Sequence, residues 1–149
     1  MPDTFSDVAT TSVVVGEADA ALDSRLSDEL DRHNFAATGH SDARELTVRI
    51  SDASGELVAG LSGWTWGTAA GIGMVWVRDD ARRGGWGGRL LAAAESEAAG
   101  RGCVQMTVSS FTFQAPDFYR RHGYVEFART EGIPVRGEAD VHFRKELQP

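Results

Sequence analysis

From Val77 to Leu91 the chain reads VRDDARRGGWGGRLL, and four of the five residues from 84 to 88 are glycine. An apolar run enters this segment and an alanine- and leucine-rich run leaves it, so the glycines join a strand to a helix. Glycine at that density serves a tight turn or a close approach to bare backbone. At a helix start, N–H groups without intrahelical partners and the positive end of the dipole favour an anion. With Arg82, Arg83 and Arg89 alongside, a phosphate-bearing ligand is the expectation.

The rest of the composition narrows the class. At 149 residues the chain has the size of one domain with a sizeable core. Residues 1–10 are polar and unpatterned and read as a loose arm, leaving 11–149 as a single domain. A formal charge of −7 argues against nonspecific nucleic-acid binding. No apolar run approaches the roughly 20 residues that span a bilayer, so no membrane partner is expected. The acidic N-terminal region lacks the pattern of a secretory signal, and the cytoplasm is the expected location. Cys103 is the only cysteine and has no metal-spaced histidines near it. It reads as a small buried hydrophobe, and no metal is expected.

Periodicity supplies the elements. Thr11–Val15 offers a short strand, and Leu22, Leu26 and Leu30 recur at helical spacing from Asp19 to about Phe35. Leu46, Val48 and Ile50 alternate with polar residues, Asp52–Gly55 supplies a turn, and Leu57–Trp66 returns as the second arm of a hairpin. Ile72–Val77 adds a third strand and leads into the glycine turn. Leu90, Leu91, Ala94 and Ala98 form one helical stripe, ended by Gly100 and Gly102. Val104, Met106 and Val108 then alternate with Cys103, Gln105 and Thr107. Pro116 suits the first turn of a short helix, 115–122, which Gly123 ends, and Tyr124–Thr130 and Ala139–Glu146 read as final strands. The order is strand, helix, three strands, helix, strand, helix, two strands. That is a mixed α/β fold with a mostly antiparallel sheet and one parallel crossover.

Spacing sorts the possible glycine loops. A Walker A loop needs a lysine that the turn lacks. A dinucleotide fingerprint starting at Gly85 would need glycine where Leu90 stands, and no acidic residue follows near the end of the next strand. What remains is Arg82-x-x-Gly85-x-Gly87 between a strand and a helix. This segment resembles the acyl-coenzyme A loop of the GNAT superfamily of N-acetyltransferases, Gln/Arg-x-x-Gly-x-Gly/Ala. Phe118-Tyr119-Arg120-Arg121-His122-Gly123-Tyr124 resembles the FYxxxGF/Y segment of the same family, about thirty residues later and in the order the family requires. The resemblance covers roughly residues 11–147.

The resemblance implies acetyl-CoA as co-substrate. Backbone N–H groups from Arg83 to Gly88 would hold its pyrophosphate, and Arg82, Arg83 and Arg89 would add charge, with Trp86 packed beneath the loop. In the family, the strand before the loop is splayed from its parallel neighbour by a bulge, here between the fourth and fifth expected strands. The pantetheine arm pairs with its backbone, a role that falls to Val75, Trp76 and Val77. An N–H of Val75 or Trp76 would face the developing oxyanion, and Tyr119 would protonate the leaving thiolate. Relatives place a glutamate base near the position of Gly73, so this chain lacks that carboxylate. Asp79, Asp80, His33, His122 and His142 are the other titratable candidates. TVSSFTFQAPDFYRRHG (107–123) and GLSGWTWG (60–67) resemble a bacterial group of small acetyltransferases without a settled substrate. Phe35, Trp64, Trp66, Phe113 and Gln114 are candidates to line the acceptor mouth, with core packing as the competing reading for the tryptophans. The expected reaction is direct acetyl transfer to a primary amine of a small molecule or peptide. The alternative is a coenzyme-binding module without turnover. Dimers are common in the family, and a homodimer is the expected assembly.

Overall fold

The computed structural model describes residues 11–148 and falls into two compact units that meet in sequence between Gly39 and His40. The arm expected at 1–10 lies outside the described residues. In the first unit α1 spans Ala20–Thr38, three residues beyond its expected end. The Asp19 carboxylate accepts the Leu22 N–H at 2.9 Å, and Gly39 closes the helix with φ of 72°. The strand expected at Thr11–Val15 does not form. Among the described residues, the six strands of the sheet lie between Arg44 and Glu146.

The second unit carries β1 (Arg44–Ser51), β2 (Leu57–Trp66), β3 (Ala69–Val77), α2 (Trp86–Gly100), β4 (Gln105–Phe111), α3 (Pro116–Arg121), β5 (Val125–Glu131) and β6 (Ala139–Glu146). They form one sheet in the order β1-β2-β3-β4-β6-β5. Among the described strands only β3 and β4 run parallel, joined through α2 as the strand–helix–strand order requires. The expected stripe of Leu90, Leu91, Ala94 and Ala98 is buried. It packs with Leu46, Leu61, Met106, Val141 and Phe143 into the core, each large apolar side chain contributing about 1.5–3 kcal/mol by leaving water. Thr65 is buried among them, and its hydroxyl accepts from Arg101 Nη1 at 3.1 Å.

β4 starts at Gln105, later than its alternation suggests. Gly102 turns the chain with φ of 91°, and the Cys103 N–H donates to Ala98 O at the end of α2. Cys103 is therefore drawn into the core, while Val104 is exposed.

Two features open the middle of the sheet. Met74 pairs with Ser62 but Ile72 with Gly63, so Gly73 is an extra residue that bulges β3. The bulge resets the alternation: Ile72, Val75 and Val77 pack on or against the core, while Met74 and Trp76 are exposed. β3 and β4 pair only from Ala69↔Gln105 to Gly71↔Thr107 and then part.

Candidate active site

The glycine turn begins at the end of β3. Arg78 anchors that end by pairing with Asp80 at 2.7 Å and with Asp52 of the β1–β2 turn at 3.1 Å. Hydrogen bonds from the Ser54 hydroxyl and Arg78 hold the Asp52 carboxyl at a pKa of about 2. Arg82 Nε donates to Val77 O at 3.2 Å and its Nη2 pairs with Asp79 at 2.8 Å, so its charge ties strand to loop. The Gly84 N–H donates to Ala81 O at 3.0 Å and belongs to the turn.

Gly85 has φ of 76°, a conformation that costs other residues about 1–2 kcal/mol. Gly87 and Gly88 answer a different demand. A Cβ at Gly87 would lie 2.8 Å from the Phe118 ring, and one at Gly88 2.8 Å from His122 Nε2. These glycines let α3 close on the first turn of α2. The Trp86 indole packs against the core, with the Arg89 guanidinium 4.8 Å above its ring.

An acidic side chain caps α1, whereas no side chain caps α2 and no acid stands in its first turn. The N–H groups of Trp86, Gly87 and Gly88 therefore point from the helix end without intrahelical acceptors, beside Arg83 and Arg89. This donor set fits a pyrophosphate. Beyond Gly71, the edge of β3 that faces β4 carries no paired strand, which fits an extended arm lying along Val75–Val77.

Tyr119 sits in the middle of α3. It is 7% exposed, with rings of Phe118, Tyr124 and Phe143 at 5.1, 5.7 and 6.0 Å. Burial raises the phenol's pKa, which keeps the proton on it at neutral pH. Cys103 lies at the opposite end of β4 from the parting strands, its Sγ 3.3 Å from Ala69 O, and burial raises its pKa too. A buried thiol of that kind is a poor nucleophile.

Where β3 and β4 part, a cavity of about 260 Å³ opens, lined by Gly71 and Ile72 of β3, residues 107–109 of β4, Trp64, Phe127, His142 and Phe143. Trp64 is 44% exposed, so it is no core residue. Trp66 ends β2 outside this lining. Gln114 Oε1 accepts the Phe111 N–H at 3.0 Å and shapes the turn before α3, and Phe113 stacks on Phe111 with centroids 5.4 Å apart. Phe35 is on α1, in the first unit, as is His33. Asp79 and Asp80 are engaged by arginines, and His122 Nδ1 lies 2.8 Å from Phe118 O. Of the titratable candidates for a base, only His142 lines the cavity. Ile72, Ser109 and Phe127 escaped the sequence reading, because strands far apart in the chain bring them together.

The family model of the acetyltransferase (GNAT) domain matches residues 43–126. Blasticidin-S acetyltransferase of Streptomyces morookaense is 41% identical over 90 residues, 56% of this chain and 64% of that protein, so the match spans less than two thirds of its length. An acetyltransferase of Agrobacterium fabrum is 31% identical over 109 residues, covering 73% of this chain and 80% of its own. The crystal structure of an acetyltransferase from Bacillus cereus superposes with a TM-score of 0.76 at 25% identity, over 91% of this chain and 98% of its own. The parted β3 and β4, the uncapped glycine turn and these likenesses together make the chain an acyltransferase of the GNAT acetyltransferase family, whose members use acetyl-CoA.

Proposed function

We propose that this chain transfers the acetyl group of acetyl-CoA directly to a primary amine of a small, cationic molecule. The observation that carries the reading is the parting of β3 from β4 between an uncapped, glycine-built helix start and an aromatic cavity. Arg83 and the amides of Gly85–Gly88 hold the pyrophosphate. The backbone of Val75–Val77 pairs the pantetheine arm, and the N–H of Val75 or Trp76 stabilises charge on the thioester oxygen. Tyr119 supplies the proton for the departing sulfur. Its raised pKa secures that proton while reducing the driving force for giving it up. An acidic chain with an aromatic cavity suits a cationic acceptor, and the blasticidin-S relative makes blasticidin S the first compound to try.

Cys103 is too deeply packed to carry the acetyl group, so no acetyl-enzyme is expected. Mixing the chain with acetyl-CoA alone should give neither a burst of thiol nor an acetylated chain by intact mass. A stoichiometric burst would contradict direct transfer. One feature favours a second reading: this chain has Gly73 where the family resemblance implies a carboxylate, as a coenzyme-binding module without turnover would. Coenzyme binding with no thiol release on blasticidin S, spermidine, kanamycin or a lysine peptide would favour that module.

A further inference from the structure

We propose that His142 is the general base that takes the acceptor's proton, positioned by Thr130. This assignment rests on the transferase reading above. The Ser109 and His142 Cα positions are partners across β4 and β6, two residues past the last pair joining β3 to β4, and both side chains line the cavity that opens there. Trp64, Ile72 and Phe127 supply its apolar walls, and the Phe127 ring lies 6.3 Å from the His142 ring. Phe143 lines the same cavity and packs against Tyr119 from the other side. Base and acid therefore flank the gap in which the thioester would lie, and His142 would stand in, from another strand, for the carboxylate that the family resemblance implies at Gly73.

One hydrogen bond bears on the tautomer. His142 Nε2 and Thr130 Oγ1 are 2.9 Å apart, across neighbouring strands. With Nε2–H donating to the hydroxyl, Nδ1 keeps its lone pair for the acceptor. On this face β4 presents Gln105, Thr107 and Ser109, and β5 presents Phe127, Ala128 and Thr130, none of them charged. The charged neighbours are Asp140 and Arg144, two residues to either side on β6. As the acceptor nitrogen bonds to the acyl carbon and the carbon–sulfur bond breaks, Nδ1 takes the proton that the nitrogen gives up. The sulfur leaves with the Tyr119 proton. Solvent carries the His142 proton back to the phenolate, so amine and thioester become amide and thiol.

The first test needs no acceptor. Long-range ¹H–¹⁵N spectra of the full chain, assigned with His142→Gln, should show neutral His142 protonated at Nε2, and Thr130→Val should shift the balance toward Nδ1–H. Protonation of the native ring at Nδ1 would overturn the assignment. With blasticidin S, spermidine or kanamycin as acceptor, His142→Gln should lower kcat about 100-fold. It should also remove the acidic limb of the native pH profile, while coenzyme A affinity by calorimetry stays unchanged as the check on folding. Thr130→Val should lower kcat less and leave the acceptor KM in place. An unchanged kcat or acidic limb in His142→Gln would refute the base. A chain that turns over none of these amines contradicts the transferase reading instead, and the tautomer still decides the assignment of His142.

Discussion

The two sides of this site are built in opposite ways. On the proposed reading, the coenzyme side is a contiguous stretch, Val75 to Arg89, in which backbone amides do most of the binding, with Arg83 beside them. The proposed acceptor side gathers one to three residues from each of β2, β3, β4, β5 and β6. A local site can be legible in sequence because neighbours in the chain are neighbours in space. A site assembled by register cannot, since alternation along each strand is identical whether or not its outward residue meets a ligand.

The largest expected effect that separates the sides is at Tyr119. Tyr119→Phe should reduce kcat about 100-fold with little change in coenzyme A affinity, read by steady-state rates and calorimetry. Equal rates would remove it as the acid. Next comes the loop, where two glycines should behave differently. Gly85→Val places a Cβ in open space at φ of 76°, so coenzyme affinity should fall about tenfold or more with a modest fall in Tm. Gly87→Val collides with Phe118, so Tm should fall together with affinity, by about 1–3 kcal/mol of stability. Identical profiles for the two variants would break the distinction between turn and packing glycines. On the acceptor side Trp64→Ala should raise the acceptor KM about tenfold and leave coenzyme affinity alone.

The smallest effect concerns the anchor behind the loop. The Asp52 carboxyl is held at about 2 against an ordinary 3.8, so its contribution to stability is present above about pH 4 and lost as pH falls toward 2. Asp52→Asn should lack that part of the acid transition in a Tm-against-pH series. An unchanged series would show that the Asp52–Arg78 link does not steady the strand end.

Most of the fold followed from pattern. β1, β2, the buried stripe of α2, the short α3 and β6 lie where periodicity and turn residues put them, because each buries a face of the expected period. Thr11–Val15 shows the limit of propensity: a run rich in β-branched residues does not by itself make a strand. The bulge at Gly73 is visible as a glycine between apolar residues, yet only the register shows that it moves Trp76 outward and Val75 inward. The same holds for His142, one polar residue in an alternating strand, which the fold sets opposite Ser109 at the parting of the sheet.

Whether coenzyme and acceptor occupy these two sides separately is tested most directly by a ¹H–¹⁵N chemical-shift titration of the full chain with coenzyme A. The largest shifts should fall on Arg83, Gly85–Gly88 and Val75–Val77, with the His142 ring and the Trp64 indole left for a subsequent acceptor. Saturation by coenzyme A with those amides unmoved would contradict the account.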